Sequence, residues 1–261
     1  MLGRFISVQG TGWPNSVASG QWNSGERWHI HGPIADTMNR RRREFRQSAA
    51  RNSYEPFMRL TEIEIDSLGA PLPDAVASLL SDAKQRLHEF DAKFQASIPA
   101  FVPSDFEPVY RALAWVQDAH LATGRRFLEW GSGIGAVTCL AALAGFDAIG
   151  IEIEPPLVEI AESLAQDHAI DAEFACGSYV PAGAESLVDV LGEVTWLRTD
   201  GPDSYVDLEL EPDDFDVIFA YPWPGEDQVI FDLFEHSAAV GALLLTYHSQ
   251  DGLRLNRKVR K

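Results

Sequence analysis

Three glycines separated by single residues, Gly131, Gly133 and Gly135, lie just after an acidic residue, Glu129, and run into a stretch of good helix formers. Glycine has no Cβ, so a chain built this way can turn sharply and approach a ligand more closely than any other residue allows. A second acid, Glu152, closes the next apolar run about twenty residues past the first glycine, where a carboxylate can accept hydrogen bonds from both hydroxyls of a ribose. The string Gly131-Ser132-Gly133-Ile134-Gly135-Ala136 also satisfies the G-x-G-x-x-G/A pattern of dinucleotide-binding turns. The chemistry implied is the cradling of a nucleotide-like cofactor, and a nicotinamide dinucleotide is one candidate.

These residues need a strand to deliver the turn and a helix to carry it away. Phe127-Leu128-Glu129-Trp130 supplies the strand and residues 134–144 the helix, with Gly145 at the helix end. Beyond it, strands are expected near 126–130, 147–152, 171–175, 215–220 and 241–247, and helices near 134–144, 156–168, 184–191 and 226–238. Such alternation predicts an α/β fold, a doubly wound, mostly parallel sheet with helices on both faces. Residues 193–212 read as an insertion, with Val194-Thr195-Trp196-Leu197 and Tyr205 to Leu210 pairing across Asp200-Gly201-Pro202-Asp203 as a hairpin. Upstream, Val76, Leu79, Leu80, Ala83, Leu87, Phe90 and Phe94 recur every three or four residues, the signature of an amphipathic helix. A second helix is expected over 107–123, with His120 near its end. The domain reading is a poorly ordered leader over 1–53, a helical extension over 54–103 and a cofactor-binding domain over 104–261. Met38 opens the more ordinary sequence and offers an alternative start.

The chain of 261 residues is 46% apolar, ordinary for a globular protein, and Cys139 and Cys176 lack metal-ligand spacing, so no metal is expected. No apolar run is of membrane-spanning length and no compact signal-type segment opens the chain, so a cytoplasmic location is expected, with no membrane partner. The net charge is −18, but residues 61–253 alone hold seven basic and thirty-five acidic residues. A body this acidic repels a phosphate backbone, so nucleic acid is a disfavoured partner and a small-molecule or protein acceptor is preferred. The run Arg40-Arg41-Arg42-Arg43, with Arg46 and Arg51, reads as a solvated leader.

Glu129 decides between cofactors. In a nicotinamide-binding strand that position faces the core and is apolar, since an unpaired carboxylate there is costly. An acid followed by G-x-G-x-G instead resembles the first motif of the class I S-adenosylmethionine-dependent methyltransferases, whose domains are Rossmann-like. The resemblance implies S-adenosylmethionine as cofactor, with Glu129, Gly131, Ser132, Gly133 and Gly135 at its methionine part and Glu152 at its ribose. In the family an acid near the end of the third strand often meets the adenine amino group; this chain offers Ser178 there, beside Tyr179, which is placed to stack on the base. The family's sheet commonly ends in two further strands, one antiparallel, and the few residues after the fifth strand imply an ending that is shortened or absent here.

The fourth strand runs into Tyr221-Pro222-Trp223-Pro224-Gly225-Glu226. Two prolines around an aromatic make a stiff loop, because each fixes its own φ and restricts the residue before it. The loop resembles the N/D-P-P-Y/W/F segment of amino-group methyltransferases, with Tyr221 in place of the acid or amide, and implies an amine or a protein side chain as acceptor. Tyr221 and Trp223 are therefore the candidate catalytic residues, with Tyr221 also bordering the cofactor. His248, which follows Tyr247 at the end of the fifth strand, is the candidate base, its ordinary pKa being near neutrality. Glu226 and Asp227 are placed to attract a cation or to serve the helix they open. Two other functions remain open: a nicotinamide-dependent oxidoreductase, and a non-catalytic binding protein that keeps the fold.

Overall fold

In the computed structural model the described residues are 19–22, 28–31, 58–66, 71–94, 103–189, 197–223, 225–249 and 251–260. Two short strands, β1 (Ser19–Trp22) and β2 (Trp28–His31), pair antiparallel within the stretch expected to be poor in structure; Trp22, Trp28 and Ile30 are strong strand formers. Then follow β3 (Met58–Ile63), helix α1 (Asp74–Phe94), α2 (Phe106–Asp118), β4 (Arg126–Trp130) and α3 (Ala136–Leu143). The alternation continues through β5 (Asp147–Glu152), α4 (Pro155–Asp167), β6 (Ala172–Cys176), α5 (Glu185–Asp189) and α6 (Ser204–Leu208). It closes with β7 (Val217–Ala220), α7 (Asp227–Ser237), β8 (Leu243–Tyr247) and β9 (Leu253–Arg260).

Strands β3 to β9 form one seven-stranded sheet in the order β3-β9-β8-β7-β4-β5-β6. β4 to β8 run parallel, and β9 is antiparallel to both of its neighbours, β8 and β3. The ending after the fifth parallel strand is thus a single strand, and the outermost place is filled from the N-terminal side by β3. The extension before residue 104 therefore supplies both the expected long helix and a strand of the main sheet.

Burial explains the strand sequences. The last four residues of β4, and all of β7 and β8, are buried, as befits central parallel strands covered on both faces. One face, through Phe127, Val217, Phe219, Leu243 and Leu245, packs with α1, α2 and α3 through Leu79, Leu113 and Leu140. The other, through Leu128, Ile218 and Leu244, packs with α6 and α7 through Tyr205, Leu233 and Phe234. Arg86 of α1 donates to Ser163 Oγ at 3.0 Å and pairs with Asp167, tying α1 to α4.

The inserted hairpin is corrected. Residues 205–208 belong to α6, because Asp203 caps a helix: its Oδ1 accepts the Tyr205 N–H at 3.0 Å. Residues 194–196 of that expected hairpin, and Pro224 of the substrate loop, lie outside the described residues. The sheet order reverses at β4, whose neighbours β5 and β7 lead away in opposite directions, so a crevice is expected at the carboxyl ends of these strands.

Candidate functional site

The glycine turn hangs from the end of β5. Gly131 N–H and Ser132 N–H both donate to Ile151 O at 2.9 Å, and Gly135 N–H donates to Ser132 O at 2.8 Å. Gly135 has a left-handed φ of +74°, and a Cβ there would stand 2.6 Å from both Ala161 Cβ and Phe174 Cε1, so only glycine fits. Above Gly131, by contrast, the nearest atom to such a Cβ is Tyr179 Cε1 at 3.9 Å. The turn is clamped tightly at Gly135, while at Gly131 an added methyl would reach only van der Waals contact with the Tyr179 ring.

Two buried carboxyl groups do the clamping. Glu129 Oε2 accepts from Thr138 N–H at 2.8 Å and from Thr138 Oγ1 at 2.6 Å, placing the acid at the N-terminal end of α3, where the helix dipole favours a carboxylate. Burial nevertheless pushes its carboxyl up to about 8. Glu152 Oε2 accepts from Gly133 N–H at 2.8 Å and its Oε1 from Glu154 N–H at 3.0 Å; burial raises its pKa too. Each carboxylate oxygen has two lone pairs, so these contacts leave acceptor capacity for a ribose. Ser132 is buried, and its hydroxyl has no hydrogen-bond partner among the described residues; its Cβ lies against Gly150, where an added Cβ would meet it at 2.7 Å.

Tyr179 stacks on Trp130, ring centroids 5.5 Å apart and planes 11° from parallel. Tyr205 of α6 holds this pair: it donates to Tyr179 O at 2.9 Å and accepts from Trp130 Nε1 at 2.9 Å. Ser178 faces away from any base, because its Oγ donates to Arg198 O at 2.9 Å and accepts from Val180 N–H at 3.1 Å.

At the ends of β7 and β8 a second group converges. The Tyr221 hydroxyl is bonded to Ser249 Oγ, and its ring meets Tyr247 edge-on with centroids 4.9 Å apart. Trp223 is half-buried and its carbonyl accepts the Glu226 N–H at 2.9 Å, shaping the entry to α7. His248 is buried, with Nδ1 2.8 Å from Asp227 Oδ1 and Nε2 2.7 Å from Thr246 Oγ1. Both ring nitrogens are thus engaged inside the protein.

The residues expected at the site fall in two groups, with Ser178 apart from both. Glu129, Gly131, Ser132, Gly133, Gly135, Glu152 and Tyr179 surround the turn; Tyr221, Trp223 and His248 sit at the ends of β7 and β8, with Ser178 behind the end of β6. Sequence reasoning missed Thr138, Trp130 and Tyr205. Thr138 had a legible signal, since it stands at the third position of the helix that the turn opens, where a donor is left for a capping acid. Tyr205 had none, because its bond to Trp130 depends on a tertiary contact.

A sheet of this order with one antiparallel strand, a clamped glycine turn and carboxyl groups near its first two strand ends is the arrangement expected from the resemblance to class I S-adenosylmethionine-dependent methyltransferases. Similar proteins are methyltransferases by name. Over 136 residues, 47% of this chain and 33% of the relative, the sequence is 24% identical to a 23S rRNA (uracil(747)-C(5))-methyltransferase of Pyrococcus abyssi. The chain therefore spans about a third of that relative's length. Among solved structures, an RNA methyltransferase of Salinibacter ruber in complex with S-adenosyl-L-homocysteine is 18% identical, with a TM-score of 0.40, covering 61% of this chain and 93% of that one. A methyltransferase of Geobacter sulfurreducens is 14% identical, with a TM-score of 0.44 and coverage of 74% and 94%. No known family profile matches the chain.

These relatives overturn one expectation. Nucleic acid is not excluded as a partner by the acidic body, because the curated relative is by name an rRNA methyltransferase. Net charge averages over the whole surface, whereas a nucleic acid meets only one face of it. Among the described residues no helix is long and apolar enough to cross a membrane.

Proposed function

We propose that the chain transfers the methyl group of S-adenosylmethionine to an acceptor that enters over the ends of β7 and β8. The observation that carries this reading is the clamped glycine turn, which Glu129 and Glu152 fix from below. When bound, S-adenosylmethionine supplies a sulfonium-linked methyl carbon open to in-line displacement. Glu152 would hold the ribose, the turn would lie along the methionine part, and Tyr179 on Trp130 would form the floor between them. Tyr221 and Trp223 would shape the acceptor's approach, and alignment of this kind supplies much of the rate in a displacement.

The acceptor class best supported is RNA, from the activity in the name of the Pyrococcus abyssi relative. An amine or protein side chain is the second reading, favoured by the proline-aromatic loop. Its weakness is that the Tyr221 hydroxyl, at the position of the amine-holding group, is bonded to Ser249. His248, with both nitrogens engaged, would serve by fixing β8 to the start of α7 rather than by taking a proton.

Tritiated-methyl transfer into fractionated lysate tests this, with ribonuclease and protease arms and Gly133→Arg as control. Label lost with ribonuclease supports RNA, label lost with protease supports a protein, and label that persists in the Gly133→Arg protein contradicts the site. Calorimetric titration with S-adenosylhomocysteine and with NAD separates the oxidoreductase alternative; binding of NAD alone would overturn the assignment. Cofactor binding with no transfer to any fraction would favour the non-catalytic binding protein.

A further inference from the structure

Residues 197–203 cross the carboxyl ends of β5 and β6, and their contacts gather around the ribose carboxylate. Arg198 Nη1 lies 3.0 Å from Glu154 Oε1, while its Nε and Nη2 grip Asp200 Oδ1 and Oδ2 at 2.9 and 3.0 Å. Glu154 is the residue whose N–H donates to Glu152 Oε1. Ile153, between the two acids, meets the same segment: a Cβ on Gly201 would stand 2.9 Å from Ile153 Cδ1. At the end of β6 the segment takes both polar groups of Ser178, whose N–H donates to Pro202 O at 2.8 Å and whose hydroxyl donates to Arg198 O at 2.9 Å. Ser178 and Asp203 form a parallel bridge, and a Cβ on Gly177 would meet Pro202 O at 2.5 Å, so the approach requires glycine there.

The glycine turn occupies the β4 side of Glu152 and β6 lies on its other side, so a base attached to a ribose held at Glu152 extends toward the end of β6, the place this segment borders. The usual polar group at that strand end is spent inward, and the apolar Ile153 is the only side chain between the two acids. We propose that residues 197–203 form the base-side wall of the cofactor site, with Arg198 as the positioning residue that latches the wall to Glu154. The inference rests on the S-adenosylmethionine reading above and adds to it the element that shapes the adenine end.

Two readouts test it together. Hydrogen exchange followed by mass spectrometry on peptides covering 176–180 and 197–205 reports the latch without any ligand; calorimetry with S-adenosylhomocysteine and with adenosine reports the wall. In Arg198→Ala the Ser178 amide is expected to exchange faster than in wild type. Both ligands are expected to bind about twofold to fivefold more weakly, the range of a half-exposed ion pair. Equal factors for the two ligands would place the loss at the nucleoside end. Arg198→Lys, which keeps a charge for Glu154 but not the fork on Asp200, should restore part of the affinity, and Glu154→Gln should reproduce the loss. Unchanged exchange at Ser178 in Arg198→Ala would overturn the latch. Faster exchange with unchanged adenosine affinity would overturn the wall. Failure of the wild-type protein to bind S-adenosylhomocysteine would sink the cofactor reading itself, an outcome separable from the exchange result.

Discussion

Glu129 is a carboxyl group kept in the interior by a threonine. Its raised pKa means that the native protein retains a proton the unfolded chain releases near the ordinary value of 4.5. Its contribution to stability is therefore complete below that value, declines as pH rises, and is gone above about 8. Urea midpoints measured at pH 5.5 and 8.5 should fall across that interval in the wild type and fall less in Glu129→Gln, which keeps an acceptor for Thr138 but does not titrate. Tyr205 makes a second residue-scale test. Its hydroxyl satisfies both Trp130 Nε1 and Tyr179 O, so Tyr205→Phe leaves an indole N–H and a carbonyl without that partner. The expected cost is about 1–3 kcal/mol in urea unfolding, with a change in tryptophan emission from Trp130.

Among elements, the turn into α3 is the least tolerant. Gly135→Ala combines a left-handed backbone with a clash against Ala161 and Phe174, and is expected to cost about 2–5 kcal/mol. Gly183→Ala is the matched comparison: φ is +90°, yet nothing lies within 4 Å of the added methyl, so only the backbone cost of about 1–2 kcal/mol applies. Chemical denaturation of the pair separates strain from crowding. The strands and helices around this turn were legible because buried parallel strands read as continuous apolar runs and covering helices as apolar stripes. The hairpin over 194–210 was misread because Val206, Leu208 and Leu210 alternate, while the helix-starting cap at Asp203 competes with that pattern. β3 was invisible as a strand: its alternation through Met58 and Leu60 slips phase before Ile63 and Ile65. β9 was hidden by its charge, since Arg254, Arg257, Lys258 and Arg260 look like a solvated tail. Yet Lys258 is buried, with its ammonium donating to Ala238 O. The location of the cofactor crevice was legible from Glu129 to Glu152. The wall at 197–203 was not, because its latch joins residues brought together only by folding.

At the scale of the whole molecule, the acidic surface and the RNA reading make a joint prediction. If RNA is the acceptor, its affinity should fall with added salt, with a log–log slope reporting few phosphate contacts, since residues 61–253 offer only seven basic residues. The sheet itself makes another. Deletion of residues 1–53 leaves β3 in place and should preserve the urea midpoint, whereas deletion of 1–66 strips β9 of its outer partner and should lower it and promote association through the bared edge. Circular dichroism and light scattering distinguish these outcomes. The pairing of Met58 with Arg260 and of Ile63 with Leu255 has a consequence for synthesis. β3 emerges from the ribosome long before β9, and its only partner in the sheet is that late strand. Until Leu253 and its successors are made, β3 lacks its strand partner and leaves an unpaired edge, so a nascent chain stalled before that point should be a client for chaperones.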